Sequence, residues 1–127
     1  MTEQRSHDFV TTREDRQGDD VVTHLEVPAD LVFFDGHFEG NPMLPGVAQV
    51  LALVDSRARR VFADAVASRG ARRVSRLKFQ ATIRPEDEVV LTLSLTRGDE
   101  PQVRFKIDKV GGGGARETAT SGVLTYA

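Results

Sequence analysis

The sequence predicts an α+β domain in which one antiparallel sheet wraps around a single long helix. Three observations carry this expectation. One stretch of about 20 residues, VAQVLALVDSRARRVFADAVA, has apolar residues at helical spacings; segments on both sides of it alternate with a period of two; and glycine-rich or charged turns separate those segments. A chain of 127 residues suffices for one domain, expected over residues 1–127, with roughly two-thirds of its unfolded surface buried.

In the first element, DFVTTRED and DVVTHLEV flank the turn-like RQGDD, which predicts a hairpin. The helix follows. Its stripe is Val47, Val50, Leu51, Val54, Ala58, Val61, Phe62 and Ala65, with Pro45 at a tolerated first-turn position and Arg69-Gly70 as the stop. Arg57, Arg59, Arg60 and Asp64 take its last third toward solvent.

Beyond the helix the period changes. Leu77, Phe79 and Ala81 alternate with Arg76, Lys78 and Gln80, then Val89, Leu91, Leu93 and Leu95 alternate with Thr92, Ser94 and Thr96. Val103, Phe105 and Ile107 form a third strand after the RGDEP turn, and Gly111 to Gly114 lead into a last strand near Thr118 to Tyr126. We expect a three- or four-stranded antiparallel meander. A helix buried on the concave face of such a sheet is the arrangement of a hot-dog fold.

Composition narrows the function classes. Cysteine is absent, so thiol nucleophiles, disulfides and cysteine-ligated metal are excluded. Net charge is -2 and the 17 basic residues are dispersed, which argues against nucleic acid as a partner. The N-terminal MTEQRSHDFVTTRED lacks the apolar core of a signal peptide, and no apolar run approaches a membrane span, so a cytoplasmic protein without membrane association is expected. The scattered histidines imply no metal site, and the four-glycine run lacks the strand-to-helix context of a phosphate loop.

The chemistry concentrates in FFDGHFEGNPMLPGVAQV. Glycines and prolines fix one backbone path into the helix, where the amides of Gly46 and Val47 form a candidate oxyanion site. First-turn N–H groups lack helical acceptors and carry partial positive charge, which suits a thioester carbonyl gaining enolate character. His37, with an ordinary pKa of about 6.5, is the candidate base, a role typically worth about 10² to 10⁴ in rate. His24, on the polar side of a strand, and His7, near the terminus, read as solvated.

FFDGHFEGNPMLPGV resembles the FFxGHFPGxPxMPGV signature of bacterial 3-hydroxyacyl-acyl-carrier-protein dehydratases, and a weaker likeness extends over roughly residues 30 to 110, including LKFQATIRPEDEVVLTLSL with its counterpart of the family's RPGD turn. The start PMLPGVAQV is closer to dehydratase-like proteins of aryl-polyene and related lipid clusters. The resemblance implies a hot-dog dimer, a substrate on the phosphopantetheine of an acyl carrier protein, loss of water between C2 and C3, and no diffusible cofactor. It makes His37 the catalytic histidine and Gly46 the glycine whose amide polarises the thioester, with Phe34, Phe38, Pro45, Val47 and Leu51 against the substrate.

Two positions depart from the family. Glu39 replaces a usual proline, and Leu51 stands where the family has a Glu or Asp. The missing acid has three candidate sources: Asp55 one turn beyond Leu51, Glu39, or a related subunit in a heterodimer. Asp55 also has an alternative, pairing with Arg59 at i+4. The leading functional expectation is therefore a dehydratase, followed by a half-catalytic or non-catalytic subunit that binds acyl chains, and then by a hot-dog acyl thioesterase using a helix carboxylate. The basic residues Arg57, Arg59, Arg60, Arg72, Arg73, Arg76 and Lys78 read as a solvated face available to an acidic carrier.

Overall fold

A computed structural model describes residues 8–31, 44–46, 48–66 and 68–126. Its strands are β1 (Val10–Gln17), β2 (Asp20–Glu26), β3 (Ala71–Phe79), β4 (Glu88–Thr96), β5 (Gln102–Val110) and β6 (Arg116–Tyr126). They form one antiparallel sheet in the order β1-β2-β4-β5-β6-β3. The expected first hairpin is present, with Gln17 paired to Asp20 across a turn in which Gly18 has φ +60°. The meander runs through β4, β5 and β6. β3 does not join it in sequence order but pairs with β6 at the far edge.

The central helical run crosses one face of this sheet in three pieces: α1 (Ala48–Asp55), α2 (Ser56–Val61) and α3 (Ala63–Val66). This corrects the expectation of one continuous helix. The break falls at Phe62, whose φ of -117° and ψ of 40° are not helical. Ala65 donates to Phe62 rather than to Val61, and the freed Val61 carbonyl accepts from Arg16. The Arg16 guanidinium also lies 5.4 Å from the centroid of the buried Phe62 ring. The break is thus satisfied by the first hairpin.

A second correction concerns which residues the helix buries. α1 is π-helical, and its buried residues are Ala48, Gln49, Val50, Leu53 and Val54. Leu51 therefore leaves the core and is 54% exposed, and Ala65 is only partly buried. The core lies between the helix and the sheet, uniting Leu53, Val54, Ala58 and Phe62 with Leu91, Leu93, Phe105, Ile107, Leu124 and Tyr126.

The far edge is irregular. Ser75 pairs with Val123 and Lys78 with Ser121, so Arg76 and Leu77 together oppose Gly122, and Arg76 has φ +53°. This is a bulge with an arginine in a conformation usually left to glycine. Val74, Leu77 and Phe79 of this strand are 39%, 41% and 52% exposed. Among the described residues, no helix is long and apolar enough to cross a membrane.

Candidate active site

His37, Phe34, Phe38, Glu39 and Val47 lie outside the described residues, so the site is built here from its helix side. Leu44, Pro45 and Gly46 bring the chain into the helix. The buried Leu44 donates its N–H to the Ile83 carbonyl at 2.6 Å, which ties the helix entry to the segment following β3. Gln49 donates from Nε2 to the Leu44 carbonyl at 3.1 Å, while its Oε1 accepts from the Thr120 hydroxyl of β6. Gln49 is 4% exposed and Thr120 fully buried, so this polar link lies in the interior with both groups satisfied.

The link fixes the start of the helix relative to the sheet and, with it, the position of Gly46. Pro45 and Gly46 are half-buried, and the Pro45 carbonyl accepts from the Gln49 amide at 3.1 Å as the first helical bond. The ring of Phe79 lies over Gly46: a Cβ there would stand 2.7 Å from the ring Cζ. A side chain at position 46 would therefore have to displace the Phe79 ring.

Leu51 and Asp55 face different surroundings despite their spacing of four. Leu51 is exposed. The Asp55 side chain is 15% exposed and fully engaged: Oδ1 accepts from the Tyr126 hydroxyl at 2.6 Å, and Oδ2 pairs with Arg59 Nε at 3.0 Å. Arg59 also lies 5.8 Å from the Tyr126 ring centroid. Burial first, and the bond to Asp55 second, push the Tyr126 phenol far above its ordinary range, so it stays a protonated donor. The pairing of Asp55 with Arg59 weighed from sequence is present; the phenol, 71 residues away, had no sequence signal.

Three residues that sequence reasoning did not place at the site are therefore Gln49, Phe79 and Tyr126. For Gln49 the signal was a lone amide amid an apolar helix start. His24 lies on β2 between the buried Thr23 and Leu25, itself half-buried, its carbonyl accepting from the Thr12 hydroxyl at 3.2 Å.

A six-stranded antiparallel sheet around one central helical run, entered through Leu44, Pro45 and Gly46, defines a hot-dog protein. Solved structures agree on this fold. An uncharacterized protein from Erwinia carotovora subsp. atroseptica superposes with a TM-score of 0.78 at 28% identity, covering 94% of this chain and 95% of that one. The dehydratase heterocomplex ApeI:P from Xenorhabdus doucetiae gives 0.75 at 21%, covering 94% and 97%.

Residues 12–122 match the ApeI-like family model, described as ApeI dehydratase, and the chain belongs to that family. Among curated relatives, the 3-hydroxyacyl-[acyl-carrier-protein] dehydratase FabZ of Ralstonia nicotianae is 30% identical over 81 residues, covering 59% of this chain and 49% of that protein. FabZ of Oenococcus oeni is 33% identical over 85 residues, covering 63% and 60%. The matched part thus spans 49% to 60% of these two relatives' lengths.

Proposed function

We propose that this chain dehydrates a 3-hydroxyacyl thioester held on an acyl carrier protein, giving the trans-2-enoyl thioester and water. His37 removes the C2 proton, and the Gly46 N–H donates to the thioester oxygen as it gains enolate charge. A carboxylic acid then protonates the C3 hydroxyl as it leaves. Acid, base and N–H donor suffice for this chemistry, so no diffusible cofactor is required, and the substrate arrives on the carrier's phosphopantetheine. We expect the protein in the cytoplasm.

The observation that carries this reading is Gly46: it sits in the first helical turn, held by the Gln49 link and roofed by Phe79, at a place where a side chain would collide with the ring. Family membership and the FabZ relatives support the reaction class.

We assign the acid to a paired hot-dog subunit. Leu51 cannot shuttle a proton, and both oxygens of Asp55 are already held by Tyr126 and Arg59. Pairing has a natural surface in β3, an edge strand with Val74, Leu77 and Phe79 uncovered, since an open edge with apolar side chains favours strand addition. The Xenorhabdus doucetiae relative is a heterocomplex, which supports a related but non-identical partner over a second copy.

The test is turnover of a 3-hydroxyacyl carrier substrate, followed by mass spectrometry of the enoyl product, for the chain alone and co-purified with a related hot-dog protein from its own genome. Dehydration by the pair that disappears in His37→Ala is expected. Equal rates for wild type and His37→Ala sink the assignment, and full activity of the chain alone sinks the assignment of the acid.

A further inference from the structure

The sheet's outer face, opposite the helix, carries a concentration of positive charge that the reaction itself does not use. Arg76 and Lys78 of β3 and Arg104 and Lys106 of β5 surround a depression of about 280 Å³, with Ser121 and Gly122 of β6 between them. All four cations are exposed.

Three of the four, Arg76, Lys78 and Arg104, hold no carboxylate among the described residues. Arg13, Arg57, Arg59, Arg60, Arg72 and Arg97 each hold a carboxylate. Lys106 pairs with Asp108 at 3.5 Å, comparable to Arg72 with Glu100 at 3.4 Å. Across the sheet, the β4 residues opposite Arg104 and Lys106 are the neutral Ser94 and Thr92. In a chain of net charge -2, four converging cations with one carboxylate, Asp108, in ion-pair reach among the described residues are a local excess that an anionic partner would relieve.

The backbone is arranged to produce this cluster. Regular alternation from Ser75 would send Lys78 to the helix side. The bulge at Arg76 and Leu77 inserts one residue, so that Lys78 and Arg76 both line the outer depression, while Leu77 turns inward to within 3.4 Å of the position a Gly122 Cβ would take. Arg76 keeps a φ of +53° there, which its side chain disfavours.

We propose that Arg76, Lys78, Arg104 and Lys106 form the docking face for the acidic surface of the acyl carrier protein. The proposal rests on the dehydratase reading for the identity of the partner. Charge complementarity identifies the occupant, and position supports it: Lys78 borders the depression while its neighbour Phe79 lies over Gly46, so a carrier seated outside is one strand's thickness from the helix entry. The cluster would speed and orient encounter and contribute nothing to proton transfer.

The experiment compares wild type with Arg76→Asn/Lys78→Gln/Arg104→Gln/Lys106→Gln, asparagine being chosen because it tolerates the left-handed backbone. Calorimetric binding of a holo acyl carrier protein is measured at two salt concentrations, alongside turnover of a carrier-free 3-hydroxyacyl N-acetylcysteamine thioester, with each protein co-purified with its hot-dog partner. We expect carrier affinity to fall about tenfold or more in the variant, wild-type affinity to weaken with salt, and carrier-free turnover to stay unchanged. Equal carrier binding by both proteins, no carrier binding by the wild type, or an equal loss on the carrier-free substrate overturns the proposal. So does binding of inorganic phosphate or coenzyme A that depends on the four cations while carrier binding does not. Salt-sensitive carrier binding without dehydration of either substrate would sink the reaction and leave the docking face standing.

Discussion

Phe79 at the end of β3 lies so close over Gly46 that a single methyl group on the glycine would stand 2.7 Å from the ring. Because the ring is 52% exposed, it can swing aside. Gly46→Ala is therefore expected to cost no more than about 1 kcal/mol of stability, below the usual range for overpacking a closed core. Its effect on turnover should be larger, since the displaced ring and added methyl crowd the thioester site. Thermal melts and enoyl-product assays separate the two effects, and Gly46→Ala/Phe79→Ala should recover stability; a failure to recover it would rule out the ring as the cause.

Gln49 links the helix entry to β6. Gln49→Leu preserves apolar volume but leaves the buried Thr120 hydroxyl and the Leu44 carbonyl without this partner. Unsatisfied buried groups of this kind cost about 1–3 kcal/mol each. With two such groups we expect a loss of about 2–6 kcal/mol by chemical denaturation, with a fall in turnover in excess of the fraction unfolded because Gly46 is no longer held. Unaltered stability would show that the Thr120 link carries no weight.

Asp55 and Tyr126 lend themselves to a paired test. Tyr126→Phe removes one hydrogen bond to a charged group and should cost about 1.5–3 kcal/mol. Asp55→Asn keeps the shape and a hydrogen bond to the phenol while giving up the ion pair with Arg59. If Asp55 positions the helix, Asp55→Asn lowers the melting temperature and leaves the turnover of the folded pair within a few-fold. A drop of about 100-fold or more at unchanged fold would instead make Asp55 the proton donor.

Glu86 occupies the glycine place of the resembled RPGD turn, and it does so at φ +69°. The turn is anchored by Val27 N–H to the Asp87 carbonyl and by Glu86 N–H to the Val27 carbonyl. A left-handed conformation costs an L-residue about 1–2 kcal/mol, partly offset by the greater unfolded-state freedom of glycine. Glu86→Gly is expected to raise stability by about 0.5–1 kcal/mol, read from denaturant midpoints; destabilisation would mean that the Glu86 side chain has a compensating role.

The strand and helix positions were legible because burial on one face imposes periodicity, and the first hairpin was legible from its turn residues. Neighbour relations were not. Alternation in Leu77 and Phe79 gives the face of β3 but not its partner, so its seat beside β6 was hidden. The spacing of three between Val74 and Leu77 was the trace of the bulge, masked by the regular run after it. Phe62 fits a helical stripe, yet the helix breaks there, and Arg16, 46 residues earlier, donates to the freed Val61 carbonyl. At the site, His37 and Gly46 stood out by local motif, whereas Phe79 over Gly46 and Tyr126 on Asp55 are contacts between distant segments, which a single sequence does not encode in its spacing.

Acid should destabilise the protein through identifiable pairs. A hydrogen bond from Arg60 holds the Glu14 carboxyl below its ordinary value of 4.5, and hydrogen bonds from Arg97 do the same for Asp19 and Asp64 below 3.8. For carboxyls depressed in the folded state, the stabilisation is present above the unfolded-state value and is lost as pH falls through the folded one. Stability should therefore be level from about pH 7 to about 5 and decline below that. Arg97 ties the first hairpin turn to the helix end through both aspartates, while Arg60 ties α2 to β1, so protonation loosens the same hairpin that satisfies the helix break. Glu14→Gln/Arg97→Gln should have lower stability near neutral pH and a shallower acid slope than wild type. Parallel slopes in denaturant midpoints for the two proteins would assign the acid sensitivity to other groups.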